Sequence, residues 1–239
     1  MPDHDAIYRS DAERYDALIE REDFEGRLPA AMAAVRPAAG LDVVDLGAGT
    51  GRLTRLLARE AGHVTACDAS GAMLDRCHDH LAGEGTIGKV TLQVADHRTA
   101  WRPDDSVDLL VSGWSIAYDV CRPAFQRDRL EFLLARWSRM LRADGTILII
   151  ETQGTGAETP APPERLLPYY AALEELGFTS TWIRTDYRFE SADEAERLSR
   201  FFFGDALADR VRASGGVILP ECTGLWWRHG RPAGERPTR

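Results

Sequence analysis

The stretch VVDLGAGTGRLT, residues 43–54, decides the fold. Its apolar start predicts a buried strand over 42–46, and the leucines after the glycines have the spacing of a helix. Gly47, Gly49 and Gly51 stand between these two elements. Because glycine has no side chain, the backbone at this turn bends tightly and approaches a ligand closely.

The same alternation continues on the C-terminal side of this stretch. Near-continuous apolar runs predict strands at 42–46, 63–68, 90–96, 107–114 and 146–152. Amphipathic stretches between them predict helices at 52–61, 72–82 and 127–141. Fully apolar strands that alternate with helices are typical of an α/β fold, a doubly wound and mostly parallel sheet with helices on both faces.

The remainder of the chain is less regular. Composition and periodicity predict, in order, a loop over 153–163, a helix from Pro168, a strand over 179–189 and a last strand over 216–227. Between those two strands Ser191 and Glu194 form a capping box, which predicts the start of a helical insertion over about 190–214. Weak helical periodicity over 1–36 predicts further helices before the sheet.

Composition limits the classes of function. The 239 residues carry 29 Lys and Arg against 38 Asp and Glu, a net charge of −9. A phosphate-rich partner needs a basic surface, so we expect neither nucleic acid nor an anionic membrane as partner. No apolar run approaches the roughly 18 residues of a membrane span. The polar N-terminus and four cysteines without a CxxC pair predict a cytoplasmic protein with reduced thiols.

The glycine spacing argues against a dinucleotide. A dinucleotide fingerprint has the spacing G-x-G-x-x-G, and its third glycine would fall at Arg52. Asp45, just before the loop, would repel a pyrophosphate and suits a ligand with a positive group. The loop therefore predicts a nucleoside ligand without a pyrophosphate and disfavours an NAD-dependent dehydrogenase.

Two more strands are predicted to end in Asp at the same edge of the sheet. Asp68 follows Asp45 by 23 positions (68 − 45), the place from which a carboxylate accepts hydrogen bonds from ribose hydroxyls. Asp96, followed by His97, ends the third strand and would accept from the adenine amino group. A strand end requires only a turn residue, so this recurrence indicates a ligand site.

Residues 42–152 resemble the class I S-adenosylmethionine (SAM)-dependent methyltransferases. The matching motifs are DLGAGTG, Asp68, Ala95-Asp96, VDLLVSGW and LRADGTILIIE. The resemblance implies a seven-stranded sheet with the last strand antiparallel, SAM as cofactor and S-adenosylhomocysteine as product. It also implies a SAM-binding domain over 37–230, lid helices over 1–36 and a tail over 231–239, with one domain overall.

The resemblance also implies roles for single residues. Asp45 and the glycine loop would surround the methionyl end, and Met73 would pack on adenine. Gly113 and Trp114 would line the side of methyl transfer, and Tyr15 would close over SAM. The predicted cofactor-binding residues are Asp45, Gly47, Ala48, Gly49, Gly51, Asp68, Ala69, Met73, Asp96, His97, Gly113, Trp114 and Tyr15.

No dedicated nucleophile is expected, because a sulfonium methyl group is already activated and catalysis rests on positioning and desolvation. Tyr118, Asp119 and His97 are the candidates for deprotonating an acceptor. We expect no metal. His78 and His80 are two positions apart, do not share a helix face, and are predicted to be solvated.

The sequence thus predicts methyl transfer from SAM to a small-molecule acceptor by a monomer or homodimer. Two alternatives stay open at this point. One is a non-catalytic SAM-binding subunit, because the motifs for binding and for catalysis coincide. The other is a protein or nucleic-acid methyltransferase. The negative net charge argues against nucleic acid as the substrate. The fourth strand ends in GWSI, whereas enzymes that methylate amino groups of DNA have Asn/Asp-Pro-Pro-Tyr at this place.

Overall fold

A seven-stranded sheet is the centre of the computed structural model, which describes residues 2–230; the predicted tail 231–239 lies outside them. The strands of this sheet are β1 (Asp42–Leu46), β2 (His63–Asp68), β3 (Val90–Val94), β4 (Val107–Gly113), β5 (Leu141–Thr155), β6 (Thr179–Arg184) and β9 (Glu221–His229). Two short strands, β7 (Tyr187–Arg188) and β8 (Ile218–Leu219), pair with each other.

The strand order is β3-β2-β1-β4-β5-β9-β6. β9 is antiparallel to both of its neighbours, and the other six strands run parallel. This confirms the predicted sheet, with its last strand antiparallel. The order reverses direction between β1 and β4, so a crevice opens beside the carboxyl ends of these strands.

Ten helices are described. They are α1 (His4–Ser10), α2 (Ala12–Ile19), α3 (Arg27–Val35), α4 (Arg52–Ala58), α5 (Gly71–Gly83), α6 (Ile116–Val120), α7 (Arg127–Met140), α8 (Leu167–Glu175), α9 (Ala192–Phe203) and α10 (Asp205–Ser214). Residues of α3, α4 and α5 form one buried cluster with the sheet, and residues of α6, α7 and α8 form another. The two clusters hold helices against both faces. Within residues 2–230 no helix is long and apolar enough to cross a bilayer.

Several predicted boundaries differ from the structure. The predicted strand 179–189 divides into β6 and β7, and the predicted strand 216–227 divides into β8 and β9 at Pro220, which has no N–H for a strand ladder. β5 is longer than predicted and reaches Thr155, whereas β3 ends at Val94, so Asp96 does not end that strand as predicted. Helix α6 was not predicted, because five residues carry too little periodicity to be recognised.

A third buried cluster joins the N-terminal helices to the insertion. Leu18 of α2 packs with Leu198 of α9 and Val211 of α10. Helix α9 begins as the capping box predicts: the Ser191 hydroxyl accepts a hydrogen bond from the Glu194 N–H at 3.1 Å. Two segments far apart in the chain thus form one layer beside the sheet.

Candidate functional site

The glycine loop between β1 and α4 uses its glycines in two ways. All three have positive φ, at 75° for Gly47, 55° for Gly49 and 95° for Gly51. A Cβ on Gly47 would overlap the Ser115 side chain, and one on Gly51 would lie 2.6 Å from the Cys77 sulfur. These two glycines are therefore required for packing. A Cβ on Gly49 would meet only the Tyr15 ring, at 3.8 Å, so packing does not exclude a side chain there and Gly49 lines the cavity with its backbone.

Asp45 ends β1 with no solvent exposure. Its Oδ2 accepts a hydrogen bond from the Thr54 hydroxyl at 2.6 Å, whereas Oδ1 has no partner in the described part of the chain. Burial raises the pKa of this carboxyl to about 7. A buried acceptor that the fold leaves unused suits a ligand that donates a hydrogen bond or carries positive charge.

Asp68 ends β2 and holds the loop. Its Oδ2 accepts from the Gly49 N–H at 2.9 Å, and its Oδ1 accepts from the Ser70 N–H at 2.8 Å. Burial raises the pKa of Asp68, and the two backbone hydrogen bonds oppose that rise. The Ser70 hydroxyl donates to the Tyr8 carbonyl at 2.8 Å, so α1 lies over this strand end.

A cavity of about 480 Å³ lies at the carboxyl ends of β1, β4 and β5. It brings eight of the predicted residues together from three stretches of the chain. These are Tyr15, Asp45, Gly47, Ala48, Gly49, Gly113, Trp114 and Tyr118.

The structure places the other predicted residues outside this cavity. Met73 is buried. Asp96 accepts hydrogen bonds from Arg98 and Thr99 within its own turn. Burial raises the pKa of Asp96, but these hydrogen bonds outweigh that effect and lower the pKa to about 2. The remaining ones are Gly51, Asp68, Ala69, His97 and Asp119. A cofactor role for these residues stays a prediction.

His97 and Asp119 are engaged with other side chains. His97 Nε2 lies 3.2 Å from the Ser115 hydroxyl, and burial lowers the pKa of its imidazole to about 4. Asp119 forms an ion pair with Arg129 and lies 3.8 Å from His97 Nδ1. Neither side chain reaches the cavity, so the structure brings only Tyr118 of the three candidate bases to it.

An aromatic roof, formed by His4, Tyr8, Tyr15, Tyr118 and Phe202, covers the cavity. The Tyr8 hydroxyl donates to the Tyr118 hydroxyl at 2.9 Å, and the Tyr118 oxygen lies 3.0 Å from His4 Nδ1. His4 Nε2 lies 2.9 Å from the Phe202 carbonyl, which only accepts, so Nε2 carries the proton and Nδ1 accepts from Tyr118. The roof thereby links α1 to α6 and α9.

Three buried carboxyl groups that line the cavity are not among the predicted site residues. Glu22 accepts from Arg52 at 2.5 Å and from the Tyr187 hydroxyl at 2.9 Å. Glu151 accepts from the Ala117 N–H at 3.2 Å, and Glu221 accepts through Oε1 from the Thr152 hydroxyl at 2.7 Å. Burial raises the pKa of both Glu151 and Glu221 to about 8.

One of these residues carried a signal in the sequence. Glu151 follows the apolar run of β5 just as Asp45 and Asp68 follow theirs, so the same rule of acidic strand ends would have found it. Glu22 and Glu221 lie in segments without a motif, and only the folded chain brings them to the site.

His80 differs from its prediction as a solvated residue. Its Nε2 lies 2.7 Å from the buried Asp16, which also pairs with Arg76 at 3.1 Å. Asp16, Glu20 and His80 have ligand atoms close enough to hold a metal ion. Because Asp16 already pairs with Arg76 and contacts His80, we interpret the group as a polar contact that joins α2 to α5.

Comparison with known proteins finds a family that matches part of this chain. Residues 43–145, somewhat under half of the chain, match the family described as a methyltransferase domain. This stretch of the chain is therefore similar to a methyltransferase domain. YcgJ from Bacillus subtilis has the same fold, with a TM-score of 0.57 at 15% identity, covering 86% of this chain and 98% of YcgJ.

Two curated relatives match the methyltransferase domain. Phosphoethanolamine N-methyltransferase 1 of Triticum aestivum is 32% identical over 126 residues, 52% of this chain and 24% of that protein. The ubiquinone/menaquinone biosynthesis C-methyltransferase UbiE of Shewanella pealeana is 29% identical over 153 residues, 61% of this chain and 57% of that protein. The chain therefore spans between about a quarter and somewhat over half of these relatives' lengths.

Proposed function

We propose that this protein transfers a methyl group from SAM to a small-molecule acceptor. The observation that carries the proposal is the single cavity that joins the glycine loop of the methyltransferase domain to a second wall of buried carboxyl groups. A volume of about 480 Å³ under the aromatic roof suits a small molecule. The names of the two curated relatives also describe small-molecule methylation.

The residues of the first wall fit the methionyl end of SAM. The unpartnered Oδ1 of Asp45 suits the amino group, and the lack of a side chain at Gly49, which lines the cavity, lets the ligand approach the backbone. Arg52 lines the same wall, and its buried Nη2 has no hydrogen-bond partner within residues 2–230, so it suits the carboxylate. Asp68 is the residue we assign to the ribose.

SAM supplies a methyl group on a positively charged sulfur. The contribution of the chain is to exclude water, orient the acceptor and accept the proton that the acceptor loses. The aromatic roof excludes water from above. Glu151 and Glu221 supply proton-accepting groups on the acceptor wall.

Ligand binding tests the proposal directly. Thermal unfolding is measured with SAM, S-adenosylhomocysteine, NAD and ATP, and transfer of labelled methyl from SAM is followed in parallel. A ligand at a hundred times its Kd stabilises the folded state by about 2.7 kcal/mol. We expect stabilisation by SAM and its product only; stabilisation by NAD alone would refute the proposal.

An Asp68→Ala variant tests the ribose assignment. The variant should lose most of the SAM-dependent shift relative to its own ligand-free melt. Asp75→Ala is the matched control, because Asp75 is exposed on α5, near Asp68 in the chain. An unchanged shift in Asp68→Ala would remove this residue from the ribose site.

A further inference from the structure

Glu221 holds a carboxyl oxygen that the fold does not use. The side chain is 2% exposed and lines the cavity. Its Oε1 accepts from the Thr152 hydroxyl, whereas its Oε2 is buried without a hydrogen-bond partner in the described ranges of the chain. A buried oxygen of this kind is costly unless a ligand completes its hydrogen bonds.

The surroundings of Glu221 are acidic. Glu151 and Glu22 line the same cavity as buried carboxyl groups. Arg52 is the buried cation on this side, and it pairs with Glu22. The other cavity arginines are more exposed. Arg122 pairs with Asp5, Arg210 donates to the Gly156 carbonyl, and Arg165 opposes the rise in the pKa of Glu151.

This acidity favours a nitrogen acceptor over an oxygen acceptor. The ammonium form of an amine offers positive charge together with several N–H donors, whereas an alcohol offers one O–H and no charge. Charge-assisted hydrogen bonds are about twice as strong as neutral ones. The aromatic roof supplies apolar surface for the carbon skeleton of such a ligand.

We propose that the acceptor is an amine whose nitrogen donates a hydrogen bond to Oε2 of Glu221, and that Glu221 accepts the proton that this nitrogen loses. The proposal rests on the proposed function and specifies its substrate class. Glu151 is the second carboxyl group beside the bound amine, and Thr152 is a positioning residue that orients Glu221.

The transfer balances without a further reactant. The bound ammonium first passes one proton to Glu221, which frees the nitrogen lone pair. The lone pair then forms a bond to the methyl carbon while the carbon–sulfur bond breaks and its electron pair returns to sulfur. The products are a methylated ammonium, a thioether and a protonated Glu221.

Burial makes Glu221 a suitable base for this step. Burial raises the pKa of its carboxyl to about 8, so the ionised carboxylate is a stronger base than that of an ordinary glutamate, and the positive charge of a bound ammonium favours this ionised form. An ordinary Glu lies about 6 pKa units below a lysine-like ammonium.

The test compares amines with matched alcohols. Ethanolamine, benzylamine and phenethylamine are paired with ethylene glycol, benzyl alcohol and 2-phenylethanol. Binding to the protein saturated with S-adenosylhomocysteine is measured by calorimetry, and labelled methyl transfer from SAM is measured separately. We expect at least one amine to bind about tenfold more tightly than its alcohol, the effect of a charged hydrogen bond.

Three variants test whether Glu221 causes the preference for amines. Glu221→Gln keeps the acceptor for Thr152 but replaces the charged oxygen, so the preference for amines should disappear and methyl transfer should fall by about a hundredfold, the effect of losing a general base. Thr152→Val should give a smaller loss. Glu175→Gln, on an exposed glutamate of α8, should behave like the wild type.

The outcomes separate the two proposals. If no amine is preferred over its alcohol, or if Glu221→Gln keeps the preference, the amine proposal is overturned. S-adenosylhomocysteine binding should stay unchanged in Glu221→Gln, which shows that the cofactor wall is intact. If the product does not bind the wild type but amines bind through Glu221, the proposed function fails and the amine site stands.

Discussion

His4 and Tyr118, separated by 114 positions in the chain, meet at 3.0 Å between the imidazole Nδ1 and the phenol oxygen. This contact connects the first helix of the chain to the short helix that follows β4. The His4 ring also stacks on Phe202 with 4.5 Å between ring centroids. The His4 imidazole thus connects three segments of the chain that line the cavity.

Tyr118→Phe should loosen this closure. The variant keeps the ring beneath Arg122, whose guanidinium carbon lies 4.4 Å from the ring centroid, and removes only the hydroxyl. The substitution removes two hydrogen bonds to α1, one from Tyr8 and one to His4, and each contributes about 1 kcal/mol. Amide hydrogen exchange in His4–Ser10 should therefore accelerate about thirtyfold. Tyr169→Phe is the control, because the buried Tyr169 hydroxyl has no partner in the structure from 2 to 230; equal exchange in both variants would contradict the prediction.

Glu22→Ala should be strongly destabilising. Arg52 is largely buried, and without Glu22 its charge would stay buried and uncompensated. Removing one partner of a buried pair costs about 3–5 kcal/mol, which urea unfolding measures. Glu20→Ala, at an exposed position two residues earlier, should change stability by less than about 0.5 kcal/mol. Equal losses in the two variants would show that the pair contributes little.

Gly47→Ala should impair both folding and ligand binding. The position has a φ of 75°, and the new Cβ would overlap the Ser115 side chain. The backbone conformation alone costs about 1–2 kcal/mol, and the displaced loop should bind S-adenosylhomocysteine more weakly. Gly83→Ala is the contrast: that Cβ meets nothing within 4 Å, so the variant should be neutral or slightly stabilising. A thermal melt and a calorimetric titration check both expectations.

The free energy of unfolding should depend on pH through the titration of the Glu151 carboxyl group. Burial raises the pKa of its carboxyl in the folded protein to about 8, above the ordinary value of 4.5. The folded state therefore binds the proton more tightly, and the associated stability is present at low pH and lost as the pH rises toward 8. Asp45 and Glu221 have raised pKa values too and contribute with the same sign.

Glu151→Gln isolates this contribution. The amide oxygen still accepts from Ala117 but does not titrate. When the pH rises from about 5 to about 9, the free energy of unfolding should fall less in the variant than in the wild type. The difference should be a few kcal/mol, because each unit of pKa shift corresponds to roughly 1.4 kcal/mol. Urea unfolding at both pH values gives the difference. Parallel pH profiles for the two proteins would show that Glu151 titrates normally.

Much of the sheet could be predicted because its signals are local. The predicted strands 42–46 and 63–68 have the same bounds as β1 and β2. The helix predicted between them follows from side-chain periodicity. The methyltransferase domain was recognised from the glycine loop and the acidic strand ends. Helix α6 and the division of β6 from β7 depend on contacts that no local pattern encodes.

The sequence by itself determined the parallel sheet, the glycine loop and the carboxyl group of Asp45, since each follows from residues adjacent in the chain. Only the tertiary structure decided that Glu22 and Glu221, 199 positions apart, face one cavity, and that His4 closes it. The physical reason is that strand and helix patterns arise from interactions over a few residues, whereas a cavity wall forms where distant segments pack. The residues of the proposed cofactor wall could therefore be predicted from the sequence, whereas those of the proposed acceptor wall follow only from the fold.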